Sequence, residues 1–345
     1  MNIQCLKIHQ SWHGLLMASA VAFGTGSASA AQPSGDAVPW LCSAKNGRAL
    51  QQWRSASGQP LPSGYVFPSK SGRVRAVLVC LHGIQTHAAW FSLLAEPLNA
   101  AGVTLFCPNR RGSGGAARVA RIDTYGTWLK DLDPVVAAAR AEGVPVYLLG
   151  TSWGAKLAMA YAGEHPERIT GVILLVPALV TSVEKPYDRL LAALLDPIAW
   201  WWPQKLPLDA RLYPPRPPDW TAIGKPPPRN AFSPRDCQFL AAMGDDPWIM
   251  KRASLHFVVA ANAMQDAALK RWRHRQQGAP SIDVIYGGAD QIVVHDRTHA
   301  LLDGLTRSEE VVPGAGHAAQ VQSVLEVARR IQQIIHLDQI SKSKN

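Results

Sequence analysis

The sequence predicts an α/β fold: a mostly parallel central sheet flanked by helices and interrupted by one inserted cap. Three observations carry this. Short, wholly apolar runs such as residues 172–176 alternate with longer amphipathic stretches, the way strands buried on both faces read between covering helices. With 345 residues, 47% of them hydrophobic and 17% charged, the chain can bury a sizeable core. The alternation then breaks once, between residues 178 and 280, and resumes afterwards.

Residues 1–30 have the layout of a cleavable export signal. Lys7 and His9 give a weakly cationic start, residues 15–23 are almost wholly apolar, and Ala28-Ser29-Ala30 precede Ala31-Gln32. The apolar stretch is short for a membrane span, although an uncleaved anchor is the alternative. Export implies a periplasmic or secreted protein in an oxidising compartment. Cys5 then leaves with the signal, and Cys42, Cys80, Cys107 and Cys237 allow three pairings. Cys80 and Cys107 fall in apolar runs where a small buried thiol is ordinary, which leaves Cys42 with Cys237 as the remaining pair.

The first core strand is expected over 74–81, ending at His82-Gly83, followed by a helix over 88–101. A strand over 103–107 closes at Pro108, and a helix over 124–141 leads to a strand over 146–149 that runs into Gly150. Residues 153–163 form a helix of small side chains that can lie close to a sheet, and 172–176 is the next strand. Twelve of the 26 prolines then fall between Pro186 and Pro234, beside Trp200, Trp201, Trp202 and Trp220. Proline at that density prevents long helices and removes strand donors, so this stretch leaves the sheet. Residues 239–269 read as helical, with Asp245-Asp246-Pro247 as a break or cap. Strands over 282–286 and 309–312 and a helix over 318–335 complete the chain. The expected organisation is a signal over 1–30, a core over 31–177 and 281–345, and a cap over 178–280.

Gly150-Thr151-Ser152-Trp153-Gly154 fits the nucleophile-elbow pattern G-x-S-x-G, between an apolar strand and a small-residue helix. That pattern holds a serine on a tight strand-to-helix turn, and glycines are needed where the backbone passes close. Asp290, after Tyr286-Gly287-Gly288-Ala289, and His317, after Gly314-Ala315-Gly316, follow in the order serine, acid, histidine. Each stands at the carboxyl end of a strand, where loops of a parallel sheet converge on one crevice. His317 is the expected general base, and Asp290 is expected to orient its imidazole. Asp296 is the rival acid, and His295 and His299 are rival bases. The oxyanion site needs two backbone N–H donors, assigned to Trp153 and to Ile84 in the loop after His82-Gly83. His82 is expected to brace that loop.

The formal charge of +10 is not matched by any nucleic-acid motif, so no nucleic-acid partner is expected. A basic surface serves solubility, or a loose attraction to anionic membrane surfaces. There is no H-E-x-x-H and no zinc spacing of cysteines, and Gly112-Ser113-Gly114-Gly115 lacks the G-K-[ST] of a phosphate loop. No metal or cofactor is expected.

Taken in order, His82-Gly83-Ile84, Asn109 to Gly114, Gly150 to Gly154, Gly288-Ala289-Asp290 and Gly316-His317 resemble the monoacylglycerol lipase and lysophospholipase branch of the α/β-hydrolases. The resemblance covers roughly residues 74–335, with only Asp246-Pro247 matched inside the cap. It implies the α/β-hydrolase fold, Ser152 as nucleophile, Asp290 as acid, His317 as base, and Ile84 and Trp153 as the oxyanion site. The family usually carries aspartate where this chain has Asn109, a position that supports the loop. An ester with an apolar acyl group, such as a monoacylglycerol or lysophospholipid, is the implied substrate, with Trp200, Trp201, Trp202 and Trp220 as the expected pocket lining or, alternatively, the core of a small cap. A serine aminopeptidase of the proline iminopeptidase type is the second enzymatic reading, and a non-catalytic binding protein on the same fold is the third. An aminopeptidase needs carboxylates to hold a free amine, and residues 178–280 hold fourteen Lys/Arg against nine Asp/Glu.

Overall fold

The computed structural model describes residues 50–113, 119–120, 124–182, 194, 246, 248–250, 252–253, 255–275 and 277–343. The export signal, Cys42, Cys237, most of the expected cap and all four of its named tryptophans (Trp200, Trp201, Trp202 and Trp220) lie outside the described residues.

The strands are β1 (Leu50–Gln51), β2 (Gly64–Phe67), β3 (Ala76–Leu81), β4 (Val103–Cys107), β5 (Val119–Ala120), β6 (Val146–Thr151), β7 (Gly171–Leu175), β8 (Arg252–Ala253), β9 (Ser281–Gly287) and β10 (Ser308–Val312). Eight of them form one sheet in the order β1-β2-β4-β3-β6-β7-β9-β10. From β4 to β10 every neighbouring pair is parallel, while β2 joins β4 and β1 antiparallel. β5 and β8 make a separate two-stranded parallel pair.

The helices are α1 (Ser92–Ala100), α2 (Tyr125–Arg140), α3 (Gly154–Glu164), α4 (Leu255–Arg273), α5 (His295–Leu302), α6 (Ala319–Gln322) and α7 (Val324–Ser343). Side chains alternate across a strand, so the apolar runs feed two cores at once. Val77, Val79 and Leu81 join a cluster with Leu148, Trp128, Leu157 and Trp272 on one face. Ala76, Leu78 and Cys80 join the opposite cluster with Tyr147, Leu149, Leu94 and Ile331. Cys80 and Cys107 are buried free thiols on neighbouring strands, the role expected of them.

Three expectations need correction. The edge strands β1 and β2 were not expected: Gly64 to Phe67 is a four-residue run between prolines, too short to show a period. It pairs tightly all the same, and a side chain at Gly64 would fall 2.2 Å from the Cys107 carbonyl oxygen. The closing helix is two helices, because Ser323 takes φ −132° and ψ 45° and breaks the spiral. Most consequential, α4 was assigned to the cap yet packs on the core. Phe257, Ala260, Ala261, Met264, Ala268 and Trp272 recur at helical spacing and are buried in the same cluster as α2 and α3. Trp272 Nε1–H donates to the Met159 carbonyl at 2.8 Å, and Gln265 Nε2 donates to the Leu179 carbonyl at 3.1 Å. The core therefore resumes at α4, before residue 281. Among the described residues, no helix is long and apolar enough to cross a membrane.

Candidate active site

β6 carries Gly150 and Thr151 inside the sheet, paired with β3 and β7, and the chain turns at once into α3. Ser152 sits at that turn with φ 54°, a left-handed conformation that a side chain other than glycine adopts only under constraint. The constraint is visible. Ser152 N–H donates to the Leu175 carbonyl at 3.0 Å, and its own carbonyl accepts from Ala155 and Ala178 N–H, each at 3.1 Å. Both motif glycines are sterically required. A Cβ at Gly150 would fall 2.6 Å from the Ala155 Cα, and one at Gly154 would fall 2.0 Å from the Leu81 carbonyl oxygen.

Strand ends bring the other two residues to this serine. Asp290 follows β9, and its Oδ1 accepts from Ile292 N–H at 2.8 Å and Val293 N–H at 3.2 Å. Its Oδ2 lies 2.8 Å from His317 Nδ1, and His317 Nε2 lies 2.8 Å from Ser152 Oγ. The carboxylate can only accept, so Nδ1 carries the proton and Nε2 is left to accept from the serine hydroxyl. The Asp290 side chain is fully buried and that of His317 is 9% exposed, so the relay is shielded from bulk water. The rivals go elsewhere. His299 is exposed and pairs with Glu309 at 2.8 Å, the His295 ring packs on Tyr286, and Asp296 opens α5.

Gly83 lies directly against the serine: a Cβ there would sit 3.4 Å from Ser152 Cβ and 3.7 Å from its Oγ. The next residue is Ile84. Neither Ile84 N–H nor Trp153 N–H donates to a protein acceptor among the described residues. His82 braces the loop, with Nδ1–H donating to the Gly83 carbonyl at 2.8 Å and Nε2 accepting from Arg110 N–H at 3.1 Å. Burial, reinforced by the Arg110 charge, holds its pKa well below the usual histidine range, so the ring is neutral.

Two parts of the site were not legible as such. Arg110 is buried with its guanidinium 4.3 Å from the centre of the Trp153 ring and 5.2 Å from that of Phe257. Asp246 was noted only as a turn, yet its carboxylate lies 2.8 Å from His87 Nε2 and accepts from Trp90 Nε1–H at 3.1 Å and Trp248 N–H at 2.9 Å. With Met250 N–H donating to the Gln85 carbonyl at 2.9 Å, this ties the loop after β3 to residues 246–250. Among the described residues, no cluster of ligands suits a metal ion.

Comparison with known proteins agrees with this architecture. The chain is 32% identical to a monoglyceride lipase homolog of monkeypox virus over 124 residues, which is 35% of this chain and 45% of that protein. It is 30% identical to phospholipase YtpA of Bacillus subtilis over 117 residues, 33% of this chain and 45% of that one. Each match thus spans just under half the relative's length. A carboxyl esterase structure from Bacillus coagulans superimposes with a TM-score of 0.64 at 17% identity, covering 83% of this chain and 97% of that one, which shows a shared fold. Residues 72–321 match the family described as serine aminopeptidase, S33. That span is well over half of the chain, and the protein belongs to this family of α/β-hydrolases.

Proposed function

We propose that this protein hydrolyses carboxylic esters with apolar acyl groups, of the monoacylglycerol or lysophospholipid type, through an acyl-enzyme on Ser152. The observation that carries the reading is the relay from Ser152 Oγ through His317 to Asp290, with both contacts at 2.8 Å on a strained elbow. Ser152 Oγ attacks the ester carbonyl carbon while its proton passes to His317 Nε2. The carbonyl oxygen becomes an oxyanion that Ile84 and Trp153 N–H receive, and Asp290 stabilises the imidazolium. Collapse breaks the bond to the leaving alkoxide, which takes the proton from His317. Water, deprotonated by the same nitrogen, then releases the carboxylic acid and restores Ser152.

Two relatives support the ester reading by name, as a monoglyceride lipase homolog and a phospholipase. The family description favours a second reading, an aminopeptidase. The basic balance of residues 178–280 speaks against a site for a free amine. We place the acyl pocket in the stretch holding Trp200, Trp201, Trp202 and Trp220. Each buried methylene contributes about 0.8 kcal/mol, roughly fourfold in kcat/KM where realised in the transition state. A panel of p-nitrophenyl esters should therefore show kcat/KM rising from acetyl to medium chains, with all turnover lost in Ser152→Ala. A profile peaking at acetate, or a preference for prolyl amides, would promote the aminopeptidase. Residues 1–30 are read as an export signal, so the native protein should begin at Ala31 or Gln32 by intact mass. Recovery with Met1 retained would refute that. The net charge of +10 supports a loose, salt-sensitive association with anionic vesicles, which a sedimentation assay without any salt-sensitive binding would exclude.

A further inference from the structure

We propose that Arg110 is a positioning residue for the oxyanion site, aiming and polarising the Ile84 N–H while bracing Trp153, the source of the second donor. The inference rests on the reading of Ser152 as an acyl-transfer nucleophile. Its ground is an anomaly: Arg110 is 7% exposed, yet no carboxylate lies within ion-pair distance of it among the described residues. Asp131, on the same cavity wall, is held by Arg111. A buried cation with no counter-charge among the described residues is expensive, and a neutral side chain would fill this space at less cost.

What the guanidinium touches explains its place. Nη2–H donates to the Ile84 carbonyl at 2.8 Å, and Nη1–H reaches the Gly83 carbonyl at 3.4 Å. The Gly83 carbonyl also accepts from His82 Nδ1–H. That carbonyl and the Ile84 N–H belong to one trans peptide unit, in which the two groups point in opposite directions. Fixing the carbonyl between His82 and Arg110 therefore sends the N–H out of the other side of the unit, in a loop whose Gly83 lies against Ser152. A cationic donor on the carbonyl also draws charge through the peptide and strengthens its N–H as a donor. The same guanidinium sits over the Trp153 indole, 4.3 Å from the ring centre, so one side chain couples the two donors. Burial lowers its pKa to about 9, which leaves it charged at neutral pH.

The test compares Arg110→Met, which keeps the apolar stem, and Arg110→Lys, which keeps a cation, with wild type. Turnover is expressed per site titrated with a fluorophosphonate, so loss of folded protein is not mistaken for loss of catalysis. Expected are a kcat lower by about tenfold or more in Arg110→Met, less than the 10²–10³ of deleting an oxyanion donor outright, with KM within about twofold. A boronic acid, which forms a tetrahedral anion on the serine, should lose affinity by the same factor. Methylguanidinium should restore part of the rate to Arg110→Ala, since a cavity lined by Trp53, Leu61, Pro108 and Trp128 adjoins the site. Arg110→Lys should fall between, because an ammonium keeps the charge but lacks the rigid planar fork that spans the two carbonyls and the Trp153 ring. Unchanged kcat and boronate affinity per labelled site in both variants would overturn the proposal. Failure of the fluorophosphonate to label wild-type Ser152 would instead remove the functional reading on which it rests.

Discussion

At the scale of the residue, the site is a set of local constraints that the sequence states unevenly. Ser152, Asp290 and His317 were legible because each follows the carboxyl end of a strand, in an order the elbow motif makes meaningful, and the structure brings them within hydrogen-bonding distance. His87 and Asp246 were not legible, because residues 159 positions apart meet through tertiary packing that leaves no local pattern. His82 gives a pH prediction. Its folded-state pKa lies well below the ordinary value of about 6.5, so between those two values the unfolded chain takes up a proton that the native state refuses. Stability from this group is therefore full above about pH 6.5 and is lost as the pH falls below it, by at most about 1.4 kcal/mol per pH unit for one proton. Denaturant titrations of His82→Gln between about pH 4.5 and 7 should show a shallower acid decline than wild type. Parallel declines would mean that His82 is not buried in its neutral form.

The elements were legible in proportion to their length and periodicity. The main-sheet strands from β3 to β9 are mostly apolar, β10 ends on two valines after a polar start, and each was found within two residues of its observed ends. β2 was missed because four residues between prolines carry no period, and α5 because eight mixed residues after Asp290 read as loop. Helix α4 was seen but misplaced, since the proline-rich stretch before it suggested that the whole interval left the core. Its role in the core can be measured. Trp272 is 2% exposed with its indole N–H on the Met159 carbonyl, so Trp272→Ala should destabilise the protein by about 3–5 kcal/mol. Trp272→Phe keeps most of the packing and removes only the indole hydrogen bond, since the Met159 carbonyl keeps its intrahelical donor, and should lose roughly 0.5–1.5 kcal/mol. An Ala variant with an unchanged unfolding midpoint would return α4 to a separate cap.

For the molecule as a whole, the parallel sheet does the assembling. Residues far apart in sequence reach one crevice because the loops after β3, β6, β9 and β10 all leave from carboxyl ends of adjacent or near-adjacent strands. That logic made the fold class, and the meeting of Ser152, Asp290 and His317, readable from one sequence. Substrate choice was less readable, because the proline- and tryptophan-rich sequence between residues 186 and 234 carries no period from which a pocket can be read. The central claim is that Ser152 is the nucleophile of an acyl-transfer relay. It is tested most directly by treating the folded, full-length chain with a fluorophosphonate and mapping the adduct by peptide mass spectrometry. One phosphonyl group should be found on Ser152, with none in Ser152→Ala and labelling slowed by orders of magnitude in His317→Ala. An adduct on any other residue, or none on the folded protein, would contradict the account.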